Sequence, residues 1–197
     1  MYAFEIPGGY TFYKYRDFDE TLSLSPEHLH WFWRLMSEAG QQHIIFYDGS
    51  IISYAGFRKL AEQRDQHFFL GFKDGRPSGL FWLNGFGIKT CFIHMAILAD
   101  FHGRGTLEMG RGVLRHLLTA RDVDGEYFLK NVKGLVPVAN PLACRMAVAS
   151  GFREVGTITG DAYLASRDKH VDAVLYCATL ENLKDRGIVS QSENCSN

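Results

Sequence analysis

The chain has 197 residues, 46% of them hydrophobic, and a formal net charge of −1. That is enough apolar material for one well-cored domain, and the balanced charge provides no broad electrostatic grip on nucleic acid. The four cysteines, Cys91, Cys144, Cys177 and Cys195, show no CxxC spacing, and of the eight histidines only His28 and His30 are close together, so neither a disulfide frame nor a zinc site is expected.

The start, MYAFEIPGGY, has no basic cluster and no long apolar stretch, which speaks against a signal peptide. No apolar run approaches the ~20 residues that span a bilayer. The expectation is a soluble, cytoplasmic protein with no membrane partner. Residues 11–18, TFYKYRDF, mix aromatic and charged residues at strand spacing and read as a first strand. Ser25 and Pro26 offer a cap and a first helical residue. Leu29, Phe32, Leu35, Met36 and Ala39 follow at helical spacing, and Gly40 ends the run. Residues 53–63, SYAGFRKLAEQ, read as a shorter second helix.

Three strands come next. HFFLGFKDG (67–75) ends on Asp-Gly, a hairpin signal, and PSGLFWLNGFG (77–87) is its partner. TCFIHMAIL (90–98) is apolar enough to be buried on both faces. A helix follows, with Leu107, Gly110, Val113, Leu114, Leu117 and Leu118 on one face. EYFLKNV (126–132) reads as a strand, and Asn140-Pro141 opens a helix that Gly151 closes. Residues 152–164 and 172–180 are closing strands, and residues 190–197 form a polar tail. The order is a strand, two helices, three strands, a helix, a strand, a helix and two strands, a mixed α/β sheet without the steady alternation of a doubly wound fold.

Residues 101–112, FHGRGTLEMGRG, imitate two phosphate grips and satisfy neither. A P-loop would need Lys where Arg111 stands and Ser or Thr where Gly112 stands, and the helical face running back to Leu107 puts Gly110 inside the helix. A dinucleotide turn would need glycine where Glu108 stands. What remains is a strand, a glycine-bearing turn and a helix N-terminus whose free amides can hold a pyrophosphate. Gly103 and Gly105 would let a ligand near the main chain, and Arg104 would add charge. Glycines that merely tighten a turn account for the same residues.

A second segment adds to this. NPLACRMAVASGF (140–152) resembles the NxxAxxLYxxxGF segment of the GNAT N-acetyltransferase superfamily at Asn140, Ala143, Met146, Gly151 and Phe152. ILADFHGRGTL resembles the superfamily's acetyl-CoA loop, (Q/R)xxGx(G/A), with His102 in the Gln/Arg place and Gly105 at the first glycine. The resemblance implies an α/β (α+β) GNAT fold, a central mixed twisted sheet of about six to seven strands flanked by about four helices. It spans a single acyltransferase domain over residues 1–183, followed by a polar tail over 184–197. It implies acetyl-CoA as cosubstrate and transfer of an acetyl group to an amine, on a small molecule or a protein, by direct attack. A homodimer is compatible with it.

By the same resemblance, main chain near Ile97 would pair with acetyl-CoA. The amides of Gly103, Arg104, Gly105, Thr106 and Leu107 would seat the pyrophosphate, with His102 beside them, and Asn140 would contact the pantetheine arm. His94 lies near where the superfamily often places a base, and is otherwise a packed histidine on a buried strand. Leu107 replaces the second Gly or Ala, and Ala147 stands where the superfamily often keeps a tyrosine acid. Together these departures motivate the alternative of a non-catalytic GNAT-fold binding or assembly module. Glu108 reads better as a charge suited to a first helical turn than as a base. Asn140 equally starts a helix without any ligand, Trp31 and Trp33 line an acceptor pocket or fill a helix-packed core, and Gly110 is expected to bring its helix close to the sheet. The cofactor slot would be a parting between the strands ending near Leu98 and Val132.

Overall fold

The structure, a computed structural model, describes residues 2–16 and 23–190. The end of the expected first strand at residues 17–18, Cys195 and residues 191–197 of the expected tail lie outside these. Eight strands form one sheet in the order β1-β2-β3-β4-β5-β6-β8-β7. Every neighbouring pair is antiparallel except β5 and β6.

The chain opens with a hairpin that the sequence reading did not include. β1 (Ala3–Ile6) and β2 (Tyr10–Lys14) turn through Pro7, Gly8 and Gly9, where the two glycines adopt φ of +91° and +77°. On α1 (Pro26–Glu38), Leu29, Phe32, Trp33 and Met36 are buried at spacings of three and four, one face of a helix. A short α2 (Gln42–Ile45) precedes α3 (Tyr54–Ala61), where the Ser53 side chain accepts the Gly56 N–H. β3 (His67–Lys73) and β4 (Arg76–Gly87) are joined by Asp74-Gly75, both at positive φ, as a two-residue hairpin requires. β5 (Thr90–Ile97) leads through a 3-10 turn at Ala99–Phe101 into α4 (Arg104–Thr119).

β6 (Asn131–Pro137) corrects the strand expected over 126–132. Glu126, Tyr127 and Phe128 belong to the loop after α4, where Arg121 and Tyr127 make an isolated bridge. Gly134 and Pro137 look like breakers, which hides the true strand. A proline is tolerated here because pairing with β5 ends at Lys133, leaving that edge free of a ladder. α5 (Pro141–Ser150), β7 (Arg153–Leu164), β8 (Lys169–Thr179) and α6 (Leu180–Asp185) complete the chain, the last started by a capping box at Thr179 and Asn182. The added hairpin strand and the short α2 and α6 raise the strand and helix numbers above those expected.

Alternation along the central strands divides the interior into two cores. Phe81 and Leu83 of β4 and Cys91, Ile93 and Ile97 of β5 pack with Met109, Val113, Leu114 and Leu117 of α4. Leu80 and Trp82 of β4 and Ala96 and Leu98 turn the other way, onto Phe32, Trp33 and Met36 of α1 and Phe57 of α3. Both faces of the sheet are thus covered by helices, and β5 is buried on both, as its near-continuous apolar run implies.

Candidate functional site

β5 and β6 pair only at Thr90–Asn131, Cys91–Val132 and Phe92–Lys133, and then part. The parting opens a cavity of about 520 Å³ between Ile93, His94, Met95, Ala96 and Ile97 on one strand and Gly134, Leu135, Val136 and Pro137 on the other. On one side of the sheet it is bounded by α4 and by Asn140, Ala143, Ala147 and Ser150 of α5 and its cap. On the other side it reaches Gln41, Ile44, Ile45 and Tyr47 around α2. The cavity therefore connects the two helical layers through the sheet.

One mouth lies at the start of α4. Its cap residue, Gly103, has φ 89° and ψ −125° and provides no side-chain cap. Only glycine adopts this conformation readily, and a Cβ here would meet nothing within 4 Å, so open space adjoins the turn. Uncapped amides at a helix N-terminus carry partial positive charge and suit an anion. Gly103, Thr106, Gly110 and Leu114 face the cavity, while Leu107 is half-buried and does not border it. The large side chain at 107 thus lies off the lining. The described part of Arg104 is its backbone, which begins α4.

The other glycines of the segment serve packing. A Cβ at Gly105 would sit 2.7 Å from the Tyr10 hydroxyl. At Gly110 it would overlap Ser150 Oγ on α5, which corrects the expectation that Gly110 packs its helix on the sheet. Gly112 is the residue that meets a strand, against Ile6 of β1. His102 also lines the cavity, its Nε2 3.0 Å from the Ile97 carbonyl oxygen and 3.2 Å from Gln41 Nε2. Gln41 Nε2 donates to the same oxygen at 2.8 Å, so two side chains hold the slot-facing carbonyl at the end of β5. Gln41 Oε1 is left buried with no hydrogen-bond partner among the described residues.

Asn140 caps α5, its Oδ1 accepting the Ala143 N–H at 3.1 Å, and also borders the cavity. Ala147 borders it as well and brings no polar atom. One turn on, Ser150 is 1% exposed, and its Oγ has no partner among the described residues. Tyr176 of β8 also reaches the lining, and burial first, then the neighbouring Cys144, raises its pKa above the ordinary tyrosine value.

His94 stands on the side of the sheet that faces α1 to α3. It stacks on its cross-strand neighbour Trp82 with ring centroids 4.6 Å apart. Asn84 Nδ2 donates to Gln66 Oε1 at 3.2 Å, which leaves Asn84 Oδ1 to accept from His94 Nε2 at 3.2 Å. That bond fixes the tautomer and leaves Nδ1 as the free acceptor. Burial pulls the His94 pKa down to about 4, so the ring is neutral at physiological pH.

Trp31 is exposed and Trp33 is buried in the second core; neither borders the cavity, which corrects the suggestion that they line a pocket. Trp82 does so instead. Gln41 and Asn84 carried no motif; only the folded chain brings Gln41 to the cavity lining and Asn84 to His94. No helix among the described residues is long and apolar enough to cross a membrane, and no cluster of His, Cys, Asp or Glu among them could hold a metal ion.

No protein-family model and no curated protein sequence matches this chain. Solved structures do. The chain is similar to the ribosomal L7/L12 α-N-protein acetyltransferase RimL in complex with coenzyme A, with TM-score 0.68 and 14% identity over 92% of this chain and 99% of that one. It is similar to spermidine N-acetyltransferase from Vibrio cholerae in complex with CoA and spermine, with TM-score 0.67 and 14% identity over 88% and 97%. The microcin C7 self-immunity acetyltransferase MccE, in complex with acetyl-CoA and AMP, gives TM-score 0.63 and 15% identity over 88% and 93%. The fold is the one these acetyltransferases share, the GNAT fold expected from the two motifs.

Proposed function

We propose that this protein is an acetyl-CoA-dependent N-acetyltransferase that transfers an acetyl group to an amine. The observation that carries this reading is the cavity through the parted sheet, with an uncapped helix N-terminus at one mouth and a neutral histidine at the other. The neighbours of like fold were solved with CoA or acetyl-CoA, and two are named as acting on amines, which supports the same reading here.

The residues present fit that cosubstrate. The amides at the start of α4, from Gly103 onward, hold the pyrophosphate. Asn140 contacts the pantetheine arm through its Nδ2, since Oδ1 caps the helix. The Ile97 carbonyl, with Gln41 and His102 on it, marks the main chain along which the arm lies. On the far side, His94 Nδ1 accepts a proton from the acceptor nitrogen as that nitrogen attacks the thioester carbon. A C–N bond forms, the C–S bond breaks, and the thiolate takes up a proton. Asn84 keeps the imidazole in the tautomer this needs. Ala147 cannot assist the departing sulfur. Water in the cavity supplies that proton.

Calorimetric titration with acetyl-CoA tests the cosubstrate. Saturable binding is expected, and none at millimolar ligand rejects the reading. Ala147 favours the second reading, a GNAT-fold module that binds without catalysis. CoA-dependent release of free thiol with any amine excludes it.

A further inference from the structure

We infer that Lys73 holds the 3′-phosphate at the adenosine end of acetyl-CoA and makes the protein selective for the 3′-phosphorylated cosubstrate. The inference rests on the cosubstrate reading and concerns the ground outside the cavity mouth, at the end of the sheet where α4 begins. Lys73 closes β3 and pairs with Tyr10, the first residue of β2. Residues directly opposite in an antiparallel pair share a face of the sheet. Tyr10 belongs to the core packed on α4, so Lys73 projects to that side as well. Its Nζ lies over the Tyr10 ring, 4.6 Å from the centroid. The far end of the same ring reaches the helix, where a Cβ at Gly105 would sit 2.7 Å from the Tyr10 hydroxyl. Phe101, in the turn leading into α4, meets the ring edge-on at 6.2 Å. One phenol ring thus separates the ammonium from the first turn of α4.

The charges around Lys73 leave its amine available. Arg76, at the start of β4, is ion-paired with Asp100 at 2.8 Å. Glu108 is set against the β1–β2 turn, where a Cβ at Gly8 would lie 2.8 Å from its Oε2. Lys73 is half-buried and makes no ion pair among the described residues, and its amine is held only by the face of a ring. A contact of that kind is weak beside a charge-assisted hydrogen bond, so the amine gains by turning to a phosphate. The choice of phosphate follows from position. Gly103 and Thr106 face the cavity, whereas Gly105 backs onto Tyr10, so Lys73 stands beyond the amides assigned to the pyrophosphate. In CoA the 3′-phosphate is carried on the ribose next to the pyrophosphate. It is a monoester with a charge of about −1.5 to −2 at pH 7. The uncapped helix end offers only about half a charge. A full positive charge just outside it matches the most highly charged group of the ligand.

The test is calorimetric titration with CoA and with dephospho-CoA, which lacks only the 3′-phosphate. The native protein is expected to bind CoA at least about tenfold more tightly than dephospho-CoA. Lys73→Met keeps an apolar stem on the Tyr10 ring and removes the charge. It is expected to weaken CoA to the level of dephospho-CoA and to leave dephospho-CoA affinity unchanged. Lys73→Arg, the conservative variant, is expected to retain the preference for CoA, and thermal melts verify that both variants fold. Equal affinity of the native protein for the two ligands overturns the inference. So does a preference that survives Lys73→Met, or a loss that is the same for both ligands. In each of these cases CoA still binds and the cosubstrate reading stands. If neither ligand binds, both fall.

Discussion

Gly110 of α4 lies against Ser150 of α5 so closely that a Cβ at position 110 would overlap the serine Oγ. This contact sets the approach of the two helices that wall the cavity on one side of the sheet. A Gly→Ala change inside a helix normally gains up to ~1 kcal/mol of propensity. Here the overlap with a buried neighbour should outweigh it, since overpacking costs about 1–3 kcal/mol. Gly110→Ala is expected to lower the thermal midpoint, and adding Ser150→Gly should restore it. A midpoint that rises with Gly110→Ala alone would show that the helices can separate.

Asn140 has two separable duties. Its Oδ1 caps α5, and losing a cap costs about 1 kcal/mol. Its Nδ2 is the atom assigned to the pantetheine arm. Asn140→Ala should therefore lose both stability and affinity. Asn140→Asp should keep the cap and the melting temperature but still bind acetyl-CoA more weakly. Equal affinity of the aspartate variant and the native protein, in titration, removes Asn140 from the site.

Gly103 holds its φ of 89° only at a cost for other residues, roughly 1–3 kcal/mol. Forcing an alanine there should rotate the first amides of α4 away from the mouth. The consequence is specific to the phosphate end of the ligand. Gly103→Ala is expected to weaken acetyl-CoA by tenfold or more while leaving the affinity for acetyl-pantetheine, which has no pyrophosphate, unaltered. Parallel titrations of the two ligands check this, and equal losses for both would assign Gly103 a purely structural part.

His94 titrates well below its usual value because burial disfavours its charged form. It is therefore unprotonated from neutrality down to about pH 4, and kcat/KM should show no histidine-type loss between pH 7 and 5. His94→Ala should reduce kcat by about 10²- to 10⁴-fold. A profile that falls with an apparent pKa near 6.5 would assign the base elsewhere.

His116 behaves alike for stability. It stacks on Phe4 at 3.6 Å, its Nε2 is 2.7 Å from the Tyr2 hydroxyl, and burial lowers its pKa to about 4. The unfolded chain binds protons at these histidines below about pH 6.5 while the folded chain does not, so stability should fall as pH drops from there toward 4. His116→Phe should flatten that fall in denaturant melts taken across the interval.

Local signals in the sequence settled much of the architecture. Ser25-Pro26, Asp74-Gly75 and Asn140-Pro141 mark their helix starts and hairpin because each is a matter of a few dihedrals and one or two hydrogen bonds. The β1–β2 hairpin carries its turn signal in Pro7-Gly8-Gly9 on strands too short to show a period, and Gly134 and Pro137 disguise β6, a strand whose pairing with β5 ends at Lys133. The two motifs at residues 101–107 and 140–152 pointed to the GNAT fold, and Gly103, with its positive φ, and Asn140, as a cap, take up positions that short-range rules could express. The rest was decided by packing over long distances. Only the folded chain brings Gln41 to the Ile97 carbonyl across 56 residues and aligns Asn84 with His94 to set a tautomer. It also turns Leu107 off the cavity lining and presses Ser150 of α5 against Gly110 of α4. Local rules see spacing along one element, whereas a cavity is made where two strands stop pairing and residues from separate layers come to share the space between them.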